Sequence, residues 1–246
     1  MATSWPRPPR TRRSGYGSPL RTFAIGRGVV LALTSLPLSH SPTHPKSAPP
    51  PPHTHSKGEA VTLKGHTGAV RSVKFASDSK LLITGSDDKT AKIWSLPSRK
   101  FVCSLVGHTN WVRSADFDPS STHAVTCGDD KLVKLWDVAT HRELHTFYDH
   151  TDVVNKVLFF PDGRSIASGS ADNTIKVWDV RSRQLIHHYP AHSAAVSSIS
   201  VHPSGNYLLS TSKDSTLKVW DIREGHLVYT LQGESHALSH SLPPSL

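Results

Sequence analysis

The sequence predicts an all-β protein made of four copies of one four-stranded unit, and three observations predict it. First, Trp94, Trp136, Trp178 and Trp220 are each separated by 42 residues, and so are His66, His108, His150 and His192. A period of that size belongs to solenoids and propellers, in which each unit buries its apolar face only against a neighbour. Second, Asp88, Asp130, Asp172 and Asp214 keep the same step, as do the hydroxyl residues Thr84, Thr126, Ser168 and Ser210. Third, the apolar residues within a copy alternate with period two, as from Leu132, Val133 and Leu135 into Trp136. That spacing suits short strands rather than helices.

The elements follow in order. The first copy reads as strands over residues 70–75, 81–84, 90–94 and 101–105, and three further sets follow at the same offsets. Pro161-Asp162-Gly163 and Pro203-Ser204-Gly205 read as turns between first and second strands, because proline pre-sets φ and glycine tolerates positive φ. The copies span about residues 66–107, 108–149, 150–191 and 192–233, within a folded segment of 59–233. Residues 60–63 read as an outer strand whose three partner strands are missing, and Glu234 stands where a fifth histidine would fall.

Residues 1–58 have a different composition. Eight of the 28 Lys and Arg lie there with no Asp or Glu, whereas the other 20 face 19 acids. The net charge of +9 is therefore a property of this leader, and it gives the repeats no nucleic-acid-binding character. The leader is rich in Pro, Ser and Arg, and the run Pro49 to Pro52 cannot enter a helix or a ladder. It is expected to be mostly disordered, as is a tail over 234–246. Its apolar stretch, residues 29–38, is too short to span a bilayer; it also fits a signal or transit peptide. Cys103 and Cys127 lack paired spacing, so no disulfide framework or zinc site is expected.

The repeated polar residues suit burial inside each unit. A buried carboxylate requires donors and a buried indole N–H requires an acceptor. An Asp taking bonds from a turn and a His would fix the turn between second and third strands against the loop entering the next unit.

The pairs Gly65-His66 and Gly107-His108, with Trp136-Asp137, Trp178-Asp179 and Trp220-Asp221, resemble the WD-repeat signature. The resemblance implies a β-propeller of four four-stranded blades in an open or incomplete ring. Asp149 and Ala191 replace the glycine before His150 and His192, and Ser95 replaces one aspartate of the Trp-Asp pairs. The resemblance also implies one hydrogen-bonded network per blade. The sets are His66, Asp88, Thr84 and Trp94; His108, Asp130, Thr126 and Trp136; His150, Asp172, Ser168 and Trp178; and His192, Asp214, Ser210 and Trp220.

Ser, His and Asp together suggest a hydrolase, but a catalytic site occurs once and this set recurs in every copy. His141-Arg142-Glu143-Leu144-His145 looks superficially like a zincin motif with its Glu one place late, on a loop and outer strand. No Gly-rich phosphate loop precedes a helix. No catalytic residue, cofactor or metal is expected, and neither a nucleic acid nor a membrane is expected as partner. Lys92, Lys134, Lys176 and Lys218 are expected to lay their stems on the blade surface with the ammonium in water.

Recognition is then expected on loops and rims. Trp111 departs from the repeat, since Ala69, Val153 and Ala195 hold the equivalent position. It is either an exposed anchor near one face of the disc or a ring folded over Asn110 and its own loop. Asp87, Asp129, Ala171 and Lys213 border that face, and Arg71 and Arg113 add charge nearby.

The non-signature residues resemble one group more closely. The run from Asp172 to Gly233, with VRSVKF at Val70 and NWVRSADF at Asn110, resembles the centriolar POC proteins over about residues 57–233. That resemblance implies a cytoplasmic, cytoskeletal protein of centrosome, centriole and cilium basal body. It implies support of centriole assembly, stability and cilium formation by binding tubulin of the microtubule wall and other centriolar proteins. The sequence departs from that group in having four repeats instead of seven, an unlike leader and no C-terminal coiled coil. Uncovered blade faces and edges are an aggregation liability. The chain is therefore expected to be a fragment, splice product or inaccurate gene model, or to pair with another chain that completes the ring. The alternative reading is a WD-repeat adaptor of another complex, a ubiquitin-ligase substrate receptor or a signalling scaffold.

Overall fold

A computed structural model describes residues 21–25, 28–32 and 60–233. The expected tail over 234–246 and the rest of the leader lie outside these residues.

Four antiparallel four-stranded sheets follow one another along the chain, so the predicted all-β repeat architecture holds. The first comprises β4 (Val70–Phe75), β5 (Leu81–Ser86), β6 (Thr90–Ser95) and β7 (Lys100–Val106). The second comprises β8 (Val112–Phe117), β9 (His123–Gly128), β10 (Val133–Asp137) and β11 (Arg142–Phe147). The third comprises β12 (Val154–Phe159), β13 (Ser165–Ser170), β14 (Ile175–Asp179) and β15 (Leu185–Tyr189). The fourth comprises β16 (Val196–Val201), β17 (Tyr207–Ser212), β18 (Thr216–Asp221) and β19 (His226–Gln232). Each sheet is a meander in chain order, and Gly163 and Gly205 turn at φ of 68° and 75° as their Pro-x-Gly contexts require.

The leader corrects one expectation. It contributes β1 (Arg21–Ile25) and β2 (Gly28–Ala32), which join β3 (Ala60–Lys64) in a three-stranded sheet, so β3 has partners. Val29 pairs with Leu63 and Leu31 with Val61 in the register. The physical reason is a β-favouring Val29-Val30-Leu31 run placed against the open ladder of β3, whose backbone groups require partners.

The core is a series of contacts between successive sheets. Ile83, Ala91, Ile93 and Leu105 of the first meet Val112, Ala115, Ala124 and Trp136 of the second. Val125, Val133, Leu135 and Phe147 then meet Val154, Val157, Ile166 and Trp178. Ala167, Ile175, Val177 and Tyr189 meet Val196, Ile199, Leu208 and Trp220. Leu63 of β3 packs with Val70, Leu82 and Trp94 in the same way. Every sheet thus has a leading face, carrying its tryptophan, and the trailing faces of the first three are covered by the next sheet's leading face. On the fourth sheet the trailing residues Leu209, Leu217 and Val219 are only half-buried and Leu231 is exposed, with no covering sheet among the described residues. The open arrangement expected from the sequence is therefore present.

A ladder of polar contacts also ties the innermost strands together. Ser72 Oγ donates to the Ala115 carbonyl, Ser114 Oγ to that of Val157, and Asn155 Nδ2 to that of Val196 at 2.7 Å. Asp116 accepts from the Phe159 N–H at 3.2 Å, with Lys74 Nζ 3.7 Å away. Burial pushes the Asp116 carboxyl above its ordinary range despite that lysine.

Candidate functional site

The repeated polar residues come together once in each sheet. In the first, His66 Nδ1 lies 2.7 Å from Asp88 Oδ2, His66 Nε2 lies 2.7 Å from Thr84 Oγ1, and Trp94 Nε1 donates to that hydroxyl at 3.0 Å. The second sheet repeats this with His108, Asp130, Thr126 and Trp136 at 2.7, 2.8 and 2.8 Å. In the fourth, His192, Asp214, Ser210 and Trp220 stand at 2.9, 2.8 and 3.0 Å. A neutral imidazole satisfies every group: Nδ1–H donates to Asp, the hydroxyl donates to Nε2, and the indole N–H donates to the hydroxyl oxygen. Burial lowers the His66 pKa, which favours that neutral form.

The aspartate is the hub of each set. Asp172 accepts from His150 at 2.7 Å, from the N–H groups of Thr151 and Thr174 at 3.1 and 2.9 Å, and from the Thr174 hydroxyl at 2.6 Å. It thereby joins the turn before β14 to the loop that enters its own sheet. Burial opposes ionisation of Asp88, Asp130, Asp172 and Asp214, but these donors outweigh it and hold each carboxyl below its ordinary range.

The third sheet departs from the expected set. His150 Nε2 still meets Ser168 Oγ at 2.6 Å, but the Trp178 indole donates to Asp149 Oδ2 at 3.2 Å. The glycines at the equivalent position show why. A Cβ at Gly65 or Gly107 would come within 2.8 or 2.9 Å of the Trp94 or Trp136 ring, so these rings lie directly over a bare backbone. Asp149 stands there in the third sheet and supplies an acceptor of its own.

The lysines two residues before each tryptophan also differ from expectation. Lys134 and Lys176 are buried, and Lys134 Nζ donates to Glu143 and Thr146 at 2.8 and 2.9 Å. Lys176 and Lys218 donate to the carbonyls of Asp149 and Ala191 at 2.6 and 2.7 Å, and Lys92 to Ser104 at 2.6 Å. Outer-strand and loop oxygens cover these ammonium groups, so they are structural rather than a wet stripe.

Such sets resemble a Ser-His-Asp triad in distances, but Thr84, Thr126, Ser168 and Ser210 are each 0% exposed, out of reach of a substrate. The zincin-like segment places His141 in a turn at φ 59° and the following residues on β11, so its histidines do not share a helix face. Burial pushes the Cys103 thiol up to about 11 and raises the fully buried Cys127 further, which leaves neither as a ready nucleophile.

The rim candidates lie together on the first two sheets. Trp111 is 42% exposed, and the Arg71 guanidinium carbon stands 5.5 Å from its ring centroid. Arg71 is bidentate to Asp87 at 2.8 and 2.7 Å. Arg113 makes the same fork with Asp129, one arm at 3.1 Å. Asn110 Oδ1 accepts the Trp111 N–H at 2.9 Å and shapes the loop that presents the ring. Lys213 is exposed on the fourth sheet and does not join this cluster; Ala171 and Asn155 replace the acid and the arginine on the third.

Four-stranded meanders stacked face on leading face, each closed by a buried His–Asp–hydroxyl set, define a propeller-type repeat protein. The chain belongs to the family described as WD domain, G-beta repeat, matched over residues 58–95, 99–137, 141–179 and 183–221. Repeats of this family are generally non-catalytic scaffolds for protein–protein interaction. Among individual proteins, the chain is similar to the ribosome biogenesis protein BOP1 homolog of Drosophila melanogaster, 43% identical over 44 residues. Those residues are 18% of this chain and 6% of that protein. It is also similar to pre-mRNA-processing factor 19 homolog 2 of Arabidopsis thaliana, 56% identical over 36 residues, 15% of this chain and 7% of that protein. The chain thus spans under a tenth of the length of the curated relatives it matches.

Proposed function

We propose that this chain is a protein-binding scaffold of the centriole and basal body, and that the Trp111 rim is its recognition face. The single observation that carries the rim is the exposed indole, with the Arg71–Asp87 fork against its ring and the Arg113–Asp129 fork two residues along the chain, at a position where the other repeats have Ala or Val. A large ring costs little entropy to present when its neighbours are already fixed, and Trp and Arg are the residues most often found as binding anchors. The centriolar part rests on the resemblance of the non-signature residues to the POC proteins, with tubulin and other centriolar proteins as the partners so implied. Imaging the tagged chain beside a centriole marker tests the location, and a pull-down with Trp111→Ala tests the face. The reading expects centriolar foci and loss of a captured partner; diffuse signal, or a partner set unchanged by the substitution, overturns the respective part. A second reading, an adaptor of another complex, draws support from the short matches to proteins named for ribosome biogenesis and pre-mRNA processing. Nuclear rather than centriolar signal favours it.

A further inference from the structure

Between the second and third sheets, away from the Trp111 rim, lies a cavity of about 630 Å³. Its apolar lining comprises the half-buried Leu144 and Val180 with the core residue Leu135 behind them, and its charged lining includes His123, Arg164, Arg181 and Arg183. The three arginines are exposed; Arg181 lies near enough to Asp179 to help hold that carboxyl below its ordinary range, and no close ion pair engages Arg164 or Arg183 among the described residues. Asp179 also lines the space, but its oxygens are occupied by its own loop, accepting the N–H groups of Ser182 at 2.9 Å and Arg181 at 3.4 Å. The groove is therefore a wall of guanidinium charge over a greasy base.

The repeat shows that the fold does not dictate this charge. One period earlier, at the junction of first and second sheets, Thr122, Ala139 and His141 stand where Arg164, Arg181 and Arg183 do. One period later the residues are Asn206, Arg223 and Gly225. Only the middle junction gathers three arginines. Guanidinium groups match carboxylates in two-point geometry, and a volume of this size lies within the range of sites that hold a peptide side chain or small ligand.

We infer that this groove binds an acidic peptide segment of a partner protein, seating one apolar side chain on Leu144 and Val180 and its flanking carboxylates on the three arginines. The inference rests on the scaffold reading and adds a second contact site to it, of stated chemistry.

The test is fluorescence anisotropy with the full chain and a labelled peptide of glutamates flanking one leucine. Saturable binding that weakens as salt rises is expected. Arg181→Glu with Arg183→Glu is expected to weaken it by about tenfold or more, and Arg223→Glu, at the neighbouring junction, to leave it unchanged. A peptide with glycine in place of leucine is expected to bind several-fold more weakly. Thermal midpoints of all variants should match the parent, since the substituted arginines are exposed. Absence of saturable binding, or binding indifferent to the double reversal, overturns the inference. So does a single-stranded RNA oligonucleotide that binds more tightly than the peptide through the same arginines, which makes the groove a nucleic-acid site. Trp111→Ala leaves this binding unaffected, so the groove and the rim fail separately.

Discussion

The trailing faces of the third and fourth sheets carry the same kinds of residue in the same register and live in different surroundings. On the third, Ala167, Ile175, Val177 and Tyr189 are buried beneath the leading face of the fourth sheet. One period on, Leu209, Leu217 and Val219 are half-buried, and Leu231 is 59% exposed. The difference teaches that a sheet of this kind encodes an apolar face but not its burial, which is the neighbour's contribution. Stability in such a stack is a sum of intrinsic terms and nearest-neighbour interfaces. The polar quartets, by contrast, are complete within a sheet and its own entry loop, and the fourth sheet's set closes as fully as the first's.

That contrast can be broken most forcefully from inside a quartet. Asp172→Ala leaves His150, Thr151 and Thr174 without their acceptor and is expected to cost about 4 kcal/mol. Urea denaturation measures it, and an unchanged midpoint removes the network from the account. The face comparison itself is sharpened by a matched pair. Ile175→Ala is expected to cost about 3 kcal/mol and Leu217→Ala about 1 kcal/mol, because only the first empties a covered site. Equal losses would mean that the fourth sheet is covered after all.

Acid acts on the quartets without touching the faces. The four hub aspartates have folded pKa values below their unfolded value of about 3.9, so their contribution is full above that pH and is lost as pH falls through the folded values. His66 is lowered as well, so below about pH 6.5 the unfolded chain takes up its proton first and stability declines. Both signs agree: the thermal midpoint should be flat near neutrality, slip modestly below about pH 6.5 and fall steeply below about pH 4. A midpoint that rises on acidification contradicts the assignment. The smallest effect is expected at the rim, where Arg71→Ala removes an exposed fork and should shift stability by no more than about 0.5 kcal/mol, read by the same denaturation.

The period of 42 made the four sheets and the quartet positions legible, because a repeated residue is one the fold requires. The same logic hid what does not repeat. Trp178 changes its acceptor because Asp149 replaces a glycine, and the break in the repeat at that position was the only sign. Lys134 is buried because Glu143 and Thr146 reach across from β11, a pairing set by outer-strand register that a pattern of alternation does not contain. Asp116 and Asn155 link inner strands of neighbouring sheets, and their contacts run between copies rather than within one. The strands at Arg21–Ile25 and Gly28–Ala32 lie outside the repeats altogether, so self-comparison could not reach them; the run Val29-Val30-Leu31 was their only local signal.

Amide hydrogen exchange on the intact chain tests the neighbour-cover claim most directly. The account expects β13 and β14, which lie beneath a covering sheet, to exchange more slowly than the equivalent β17 and β18. Equal protection in the two pairs, or slower exchange in β17 and β18, would contradict it.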